Sequence, residues 1–280
     1  MKWMIVTSLV LVFVLLAGAW FWWTTARVTA DHLGHYRIYY GEITDKILDK
    51  MKAFDLLVVE PKQISQDQVQ ELKKAGVKVV GYLSVMEVGS WDEDHMEVTQ
   101  PYWLMEGSKP LRNGTNPVGD LTHPLYQGIL LEKLQVEILN KGMEGVFLDT
   151  VETSDLIKDP QVYTEIVTAY SDFLGDIRRL MPEGLIIQNR GFDVLASIDR
   201  FAIDAFVWEN FFLPEDQAGE KRIFDKRVWD LEVSSRWRSH AVLTISYEES
   251  EATREFTRKR GWGLLVHPDG TSHNRWVDQP

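Results

Sequence analysis

From Tyr36 to His267 the chain alternates short, β-rich apolar runs with helical patterns, and eight such units follow one another. The runs are mostly unbroken apolar, as expected for parallel strands buried on both faces. They cover Tyr36–Tyr40, Asp55–Glu60, Val77–Val85, Glu144–Asp149, Leu185–Asn189, Ala205–Glu209, Ala241–Tyr247 and Gly263–His267. This alternation predicts an α/β fold, and eight units within about 250 residues predict a (β/α)₈ TIM barrel.

Helical patterns separate the runs, and several carry explicit boundary signals. Ser65 and Gln68 form a capping-box pattern for a helix that stops at Gly76, and Asp159 with Pro160 predicts the start of a helix to Leu180. The other helices are expected over Ile43–Lys52, Tyr126–Asn140, Val194–Asp199, Ala218–Arg236 and Ser250–Arg260. The rival architecture, an open doubly wound sheet, usually carries a glycine-rich loop after its first strand, and residues 40–43 (YGEI) are not one.

The N-terminus predicts a membrane segment ahead of the barrel. Residues 4–23 carry no charge, and twenty helical residues span about 30 Å, enough for a bilayer core. Four aromatic residues close the run where an interfacial belt is expected, at Trp20–Trp23. A cleaved signal peptide is the main alternative, because Ala17-Gly18-Ala19 resembles a cleavage site. We expect residues 1–30 to form a single-pass anchor with its N-terminus inside and residues 31–280 to be extracytoplasmic, or secreted if the segment is cut.

The charge balance and the absence of cysteine restrict the function. The chain has a net charge of −12, and the part from residue 31 has −14, since the first thirty residues hold only Lys2 and Arg27. Such a domain is a poor partner for nucleic acid and attracts cationic ligands. The lack of cysteine excludes disulfides, thiolate metal sites and cysteine nucleophiles. The histidines show no ligand arrangement, and neither a phosphate loop nor a serine-hydrolase elbow occurs, so we expect no metal and no cofactor.

Carboxylates crowd the strand ends where a barrel places its active site. One residue at each end gives Tyr40, Glu60, Glu87, Asp149, Asn189, Glu209, Glu248 and Asp269. Asp149 and Glu209 each follow a wholly apolar strand, the fourth and the sixth, which can face two carboxylates across a small gap. That arrangement is what glycoside hydrolysis needs. The alternative is that both acids cap helices or pair with Arg190.

Further side chains at or just after the strand ends are expected to bind the substrate. Aromatic rings there stack on sugar faces, although Trp208 is as well placed to pack outward against a helix. Acids there would bind the ammonium groups of an amino sugar. The candidate binding residues are Tyr40, Glu60, Tyr82, Glu87, Trp91, Asp120, Asn189, Arg190, Trp208 and Tyr247.

Several of these segments together resemble the endo-α-1,4-polygalactosaminidases of glycoside hydrolase family 114, also known as the hydrolase domain of Pel-type biofilm polysaccharide proteins. The resemblance rests on residues 39–41 (YYG), 55–61 (DLLVVEP), 81–84 (GYLS) with Glu87, 145–150 (GVFLDT), 188–191 (QNRG) and 208–210 (WEN). It implies cleavage of α-1,4-linked galactosamine or N-acetylgalactosamine polymers with Asp149 and Glu209 as the catalytic pair. A partly deacetylated, cationic polymer suits the acidic domain.

We expect retention, with Asp149 as nucleophile and Glu209 as acid/base. The expected partners are this polysaccharide, the membrane through the N-terminal helix, and exopolysaccharide synthesis or export machinery; nucleic acid is not expected. Two alternatives remain at this stage. The domain could be a non-catalytic, membrane-tethered polysaccharide-binding or export subunit, or a barrel enzyme acting on an unrelated glycan.

Overall fold

The computed structural model describes residues 33–89, 93–198, 202–215, 218–238, 240–268, 270 and 273–277. Its eight main strands are β1 (Tyr36–Tyr39), β2 (Leu56–Val59), β3 (Lys78–Ser84), β4 (Gly145–Asp149), β5 (Leu185–Asn189), β6 (Ala205–Trp208), β7 (Ala241–Ser246) and β8 (Gly263–Val266). All pair in parallel and in chain order, and β1 and β8 are neighbours. The sheet is therefore a nearly closed TIM barrel, as predicted, and the open doubly wound alternative is wrong.

Helices cover the outside of the sheet. They are α1 (Asp45–Met51), α2 (Gln66–Lys74), α3 (Glu93–Thr99), α4 (Pro124–Lys133), α5 (Pro160–Leu180), α6 (Phe192–Ser197), α7 (Ala218–Arg238) and α8 (Glu251–Arg260). The capping box of Ser65 and Gln68 is present, and the Asp159 carboxylate caps α5 by accepting hydrogen bonds from two backbone amides. The boundaries that depend on local capping chemistry were therefore predictable.

The helix expected over residues 126–140 is more irregular than its sequence pattern indicates. It begins at Pro124 as α4, changes to a π-helical turn over Leu134–Ile138, and ends in a 3₁₀ turn before Gly142. Gly142 has a φ of 83°, the left-handed conformation that ends many helices. The apolar periodicity does not reveal the π turn, because the side chains still face the barrel.

A long connection follows β3 and forms a cap on one side of the barrel mouth. It contains α3, a 3₁₀ turn over Gln100–Tyr102 and two small hairpins, formed by strands 105–106 with 109–110 and 112–113 with 116–117. Glu87 and Trp103 make isolated bridges to Val118 and Gly119, which join the hairpins to the rest of the connection. The segment that sequence patterns showed only as a long polar loop is thus a small folded layer.

Two apolar clusters lie on the two faces of the sheet. Alternate strand residues such as Ile38, Phe147 and Val207 fill the barrel interior. The intervening residues, such as Leu148 and Phe206, pack against the helices. Within the described ranges no helix is both long and apolar enough to span a membrane. The expected anchor, residues 4–23, lies outside those ranges.

Candidate active site

Strand alternation places one layer of polar side chains directly above the apolar interior of the barrel. In β4, Phe147 points inward, so Asp149 two residues later does too. At the end of β6, Val207 points inward, so Glu209 two residues later also points inward. The same two-residue spacing in the other strands makes Tyr40, Tyr82, Asn189 and Tyr247 point inward as well, and the three tyrosines pack on the interior cluster. Six of the predicted site residues therefore converge at the carboxyl ends of the strands, where barrel enzymes carry their active sites.

Asn189 joins the two candidate catalytic carboxylates. Its Nδ2 donates one hydrogen bond to Asp149 Oδ1 and one to Glu209 Oε2, each 2.8 Å long. Because both oxygens lie 2.8 Å from one nitrogen, they are at most twice that distance apart, a ceiling of about 5.6 Å. At the angle between the two N–H bonds of a planar amide the separation is about 4.8 Å. Asn189 Oδ1 is buried and has no hydrogen-bond partner among the described residues, so it can accept one from a ligand.

Each carboxylate also has a phenol partner. The Tyr247 hydroxyl donates to Glu209 Oε1 at 2.5 Å, and the Tyr82 hydroxyl donates to Asp149. Burial, followed by the charges of these carboxylates, raises the pKa of both phenols, so the hydroxyls stay protonated as donors. Neither carboxylate caps a helix or pairs with Arg190, so the alternative that these two acids are helix caps or partners of Arg190 is wrong.

The environment of Asp149 favours proton retention. Burial, and then the charge of Glu209, raise the pKa of Asp149 above its ordinary value. Hydrogen bonds from Asn189, the Thr150 backbone and Tyr82 act in the opposite direction by stabilising the ionised carboxylate.

A left-handed residue follows each of the three central polar residues. Thr150, Arg190 and Asn210 have φ values of 66°, 55° and 54°, directly after Asp149, Asn189 and Glu209 respectively. For a β-branched residue this conformation is costly, of the order of 1–3 kcal/mol, and such residues concentrate at functional sites. Thr150 is held there by its hydroxyl, which accepts from the backbone amides of Met86 and Glu87 at 3.0 and 3.1 Å.

Arg190 forms an ion pair with Glu152, a residue that the sequence patterns do not single out. Arg190 Nη1 lies 2.9 Å from Glu152 Oε1, while Glu152 Oε2 is buried and has no hydrogen-bond partner among the described residues. Burial, followed by the charge of Asp149, raises the pKa of Glu152 to about 7. The 3₁₀ turn that carries Glu152 lies between a strand and a helix, so the only signal in the sequence was an acid three residues after Asp149.

The remaining predicted binding residues are spread more widely. Tyr40 packs edge-on against Tyr82, with ring centroids 4.9 Å apart, at the rim of the site. Glu60 is half-buried, and its carboxylate caps the next turn by accepting from the Lys62 amide, while burial raises its pKa. Asp120 accepts hydrogen bonds from Thr122 within its own turn.

Two of the predicted binding residues, Glu87 and Trp208, make contacts within the protein, and two residues predicted at or just after strand ends fall outside the described ranges. Glu87 is 8% exposed and accepts from Asn113, Asn116 and Thr153, so it ties the cap to the loop after β4. Trp208 is 5% exposed and faces outward into an aromatic cluster with Phe192, Phe211, Phe224 and Trp262, and it also lines the cavity beside Glu209. Trp91 and Asp269 lie outside the described ranges.

A cavity of about 480 Å³ borders Glu209 on the side of α7. It lies between the loops that follow β4, β5 and β6 and one face of α7, and this volume is typical of small-molecule sites. Its walls combine aromatic rings, including Phe192 and Phe212, with charged groups that include Glu152 and Arg190.

Comparisons with known proteins identify a family and similar barrels. The model of glycoside-hydrolase family GH114 matches residues 20–262. The glycoside hydrolase domain of PelA from Pseudomonas aeruginosa superposes with a TM-score of 0.68 at 21% identity, covering 83% of this chain and 93% of that one. Aspergillus fumigatus Ega3, in complex with galactosamine, superposes with a TM-score of 0.64 at 15% identity, covering 90% and 97%.

A more distant match shares the barrel alone. An α-galactosidase from Thermus thermophilus in complex with p-nitrophenyl α-D-galactopyranoside gives a TM-score of 0.54 at 12% identity, covering 84% of this chain and 58% of that one. The curated proteins contain no match.

Proposed function

This chain belongs to glycoside-hydrolase family GH114 and is a glycoside hydrolase, and we propose that it cleaves α-1,4-linked galactosamine polymers with retention of configuration. The observation that carries the mechanism is the amide bridge of Asn189, which holds Asp149 Oδ1 and Glu209 Oε2 within about 5.6 Å of each other. Retaining enzymes have carboxyl groups about 5–5.5 Å apart, whereas inverting enzymes need about 6.5–9.5 Å to admit a water molecule.

In the first step, an Asp149 oxygen attacks the anomeric carbon while Glu209 gives its proton to the glycosidic oxygen. The bond to the leaving sugar breaks, and the remaining sugar is esterified to Asp149. In the second step, Glu209 takes a proton from water, the water oxygen attacks the same carbon, and Asp149 is released. Two inversions give net retention.

We assign the nucleophile to Asp149 because three donors converge on its carboxylate, which act against the burial and the Glu209 charge that raise its pKa. It receives donors from Asn189, Tyr82 and the Thr150 backbone, which stabilise negative charge on its oxygens. Glu209 receives donors from Asn189 and Tyr247. The first step requires Glu209 as the proton donor and an ionised Asp149 as the nucleophile, and the free Asn189 Oδ1 can accept a hydrogen bond from a substrate hydroxyl.

The polymer assignment is supported by charge and by similarity. Ega3 is described with galactosamine bound, and its barrel is similar to this one over 90% of the chain. The part of this chain from residue 31 has a net charge of −14, which attracts a polymer whose amino groups carry positive charge.

The test is release of new reducing ends from a partly deacetylated α-1,4-galactosaminan by the purified protein. We expect release by the wild type and none by Asp149→Asn or Glu209→Gln, both of which keep side-chain size. Binding that survives both substitutions, with no release by the wild type, would instead indicate a non-catalytic polysaccharide-binding subunit.

We further propose that residues 1–30 tether the enzyme to a membrane, with the domain from residue 31 on the extracytoplasmic side, beside exopolysaccharide synthesis or export machinery. The support is the uncharged run at residues 4–23 and its terminal aromatic belt. Extraction of membranes with alkaline carbonate should leave the protein in the pellet. Recovery in the soluble fraction, with an N-terminus near residue 20, would instead show a cleaved signal.

A further inference from the structure

We propose that the cavity between Glu209 and α7 is a sugar-binding subsite and that Glu152 makes it selective for an amino sugar with a free ammonium group. This inference rests on the proposed function, because it adds a specificity determinant to that reaction. The cavity of about 480 Å³ can hold one to two sugar rings. Glu209 forms part of its wall, so a polymer being cleaved at Glu209 would continue into it.

Glu152 forms part of the cavity wall, and one of its carboxylate oxygens has no hydrogen-bond partner among the described residues. Oε1 is satisfied by Arg190 at 2.9 Å, while Oε2 is buried and lacks a hydrogen-bond partner among the described residues. A buried carboxylate oxygen in this state is costly unless a ligand supplies a donor. An ammonium group supplies both a donor and a positive charge.

The surrounding charges favour a cation over a neutral N-acetyl group. The cavity is lined by three cationic side chains and by six carboxylates, which are those of Glu152, Asp155, Asp193, Glu209, Glu220 and Asp230. Two of the cations are already paired, Arg190 with Glu152 and Lys226 with Asp230, and the third, Arg227, lies over the Phe192 ring at 4.5 Å. Burial, and then the charges of Asp149 and Glu209, raise the pKa of Glu152 to about 7. An ammonium group beside Glu152 would offset these two negative charges.

The apolar part of the wall suits the flat face of a sugar ring. Phe212 lines the cavity and is 53% exposed, so its ring is free to stack on a ligand. Stacking does not distinguish an amine from its acetamide. Phe212 should therefore contribute to binding of both polymer forms, whereas Glu152 should contribute only to binding of the deacetylated form.

The experiment compares kcat/KM for fully deacetylated and fully N-acetylated α-1,4-galactosaminan, using the full-length protein. We expect the wild type to prefer the deacetylated polymer and Glu152→Gln to reduce that preference about 10-fold or more, as loss of a charged hydrogen bond predicts. The preference is a ratio within each variant, so a change in the folded fraction cancels. Phe212→Ala should lower both kcat/KM values and leave the ratio unchanged.

Glu255→Gln is the matched control. It removes the same charge from an exposed position on α8, where Glu255 pairs with Lys259, and should leave the ratio at the wild-type value. An unchanged ratio in Glu152→Gln, or an equal fall for both polymers, would overturn the selectivity assigned to Glu152. No effect of Phe212→Ala on either polymer would overturn the subsite.

Failure of the proposed function would look different, because the wild type would then cleave neither polymer. In that case calorimetry with a galactosamine hexasaccharide tests the cavity alone. Binding that Glu152→Gln weakens about 10-fold would support the subsite, whereas absent or unchanged binding would overturn it.

Discussion

Replacement of Glu152 by glutamine should stabilise the protein at alkaline pH and have little effect at acidic pH. Burial and the neighbouring charge of Asp149 raise the pKa of Glu152 from 4.5 to about 7. A carboxyl with a raised pKa in the folded state contributes stability below its unfolded pKa. That contribution is lost as pH rises through the folded pKa, because the folded protein then has to carry a poorly solvated charge.

The magnitude follows from the size of the shift. A difference of about 2.5 pKa units at 1.36 kcal/mol each gives a ceiling of about 3.4 kcal/mol. Solvent screening reduces it, because 23% of the Glu152 side chain is exposed; the opposing effect of Arg190 is already contained in the pKa of about 7. We therefore expect Glu152→Gln to raise the free energy of unfolding by about 1–3 kcal/mol at pH 8, and by about nothing at pH 4.5.

Urea unfolding followed by tryptophan fluorescence at pH 4.5, 6 and 8 measures this difference. Glu255→Gln serves as control, because its ion pair with Lys259 lowers the pKa of Glu255 and its stability contribution is already complete above pH 4.5. The control difference should therefore not grow between pH 5 and 8. A Glu152→Gln difference that is independent of pH, or that becomes destabilising at pH 8, would refute the reasoning.

Three other substitutions test the site and its support. Asn189→Ala removes the donor shared by both carboxylates and should lower kcat about 100-fold while the fold survives, as circular dichroism would show; full activity would contradict the bridge. In a plot of kcat/KM against pH, the acid limb should rise as Asp149 loses its proton, with a midpoint above pH 3.8. Tyr82→Phe removes a hydrogen bond to the ionised form and should move this midpoint to higher pH; a shift to lower pH would be inconsistent with that hydrogen bond. Trp208→Ala should cost about 3–5 kcal/mol in the free energy of unfolding, whereas Trp229→Ala, 62% exposed, should change it by under about 0.5 kcal/mol; equal effects would place Trp208 outside the core.

The barrel was predictable because the strands are short and mostly apolar and because helical patterns, several with their own start signals, separate them. The helix expected at Pro160–Leu180 occurs with those bounds, since Asp159 caps it and Pro160 fits its first turn. Period-two alternation also placed Asp149 and Glu209 inward. The same alternation turns Trp208 outward, where packing partners from α6 and α7 bury it.

What sequence patterns missed depends on contacts between distant segments. Glu87 follows a strand, yet its carboxylate is occupied because the cap folds back and brings Asn113 and Asn116 to it. Glu152 belongs to neither a strand nor a long helix, and its raised pKa comes from burial and from charges that the barrel brings together. Such contacts are set by tertiary structure and leave no periodic signal in the chain.

The stereochemistry of the first product tests the central proposal most directly. Proton NMR of the anomeric region during cleavage of a defined α-1,4-galactosamine oligosaccharide shows which anomer forms before mutarotation. Retention by Asp149 and Glu209, whose bridged oxygens lie within about 5.6 Å of each other, predicts that the α-anomer appears first. Initial formation of the β-anomer would contradict the double displacement and the nucleophilic role of Asp149.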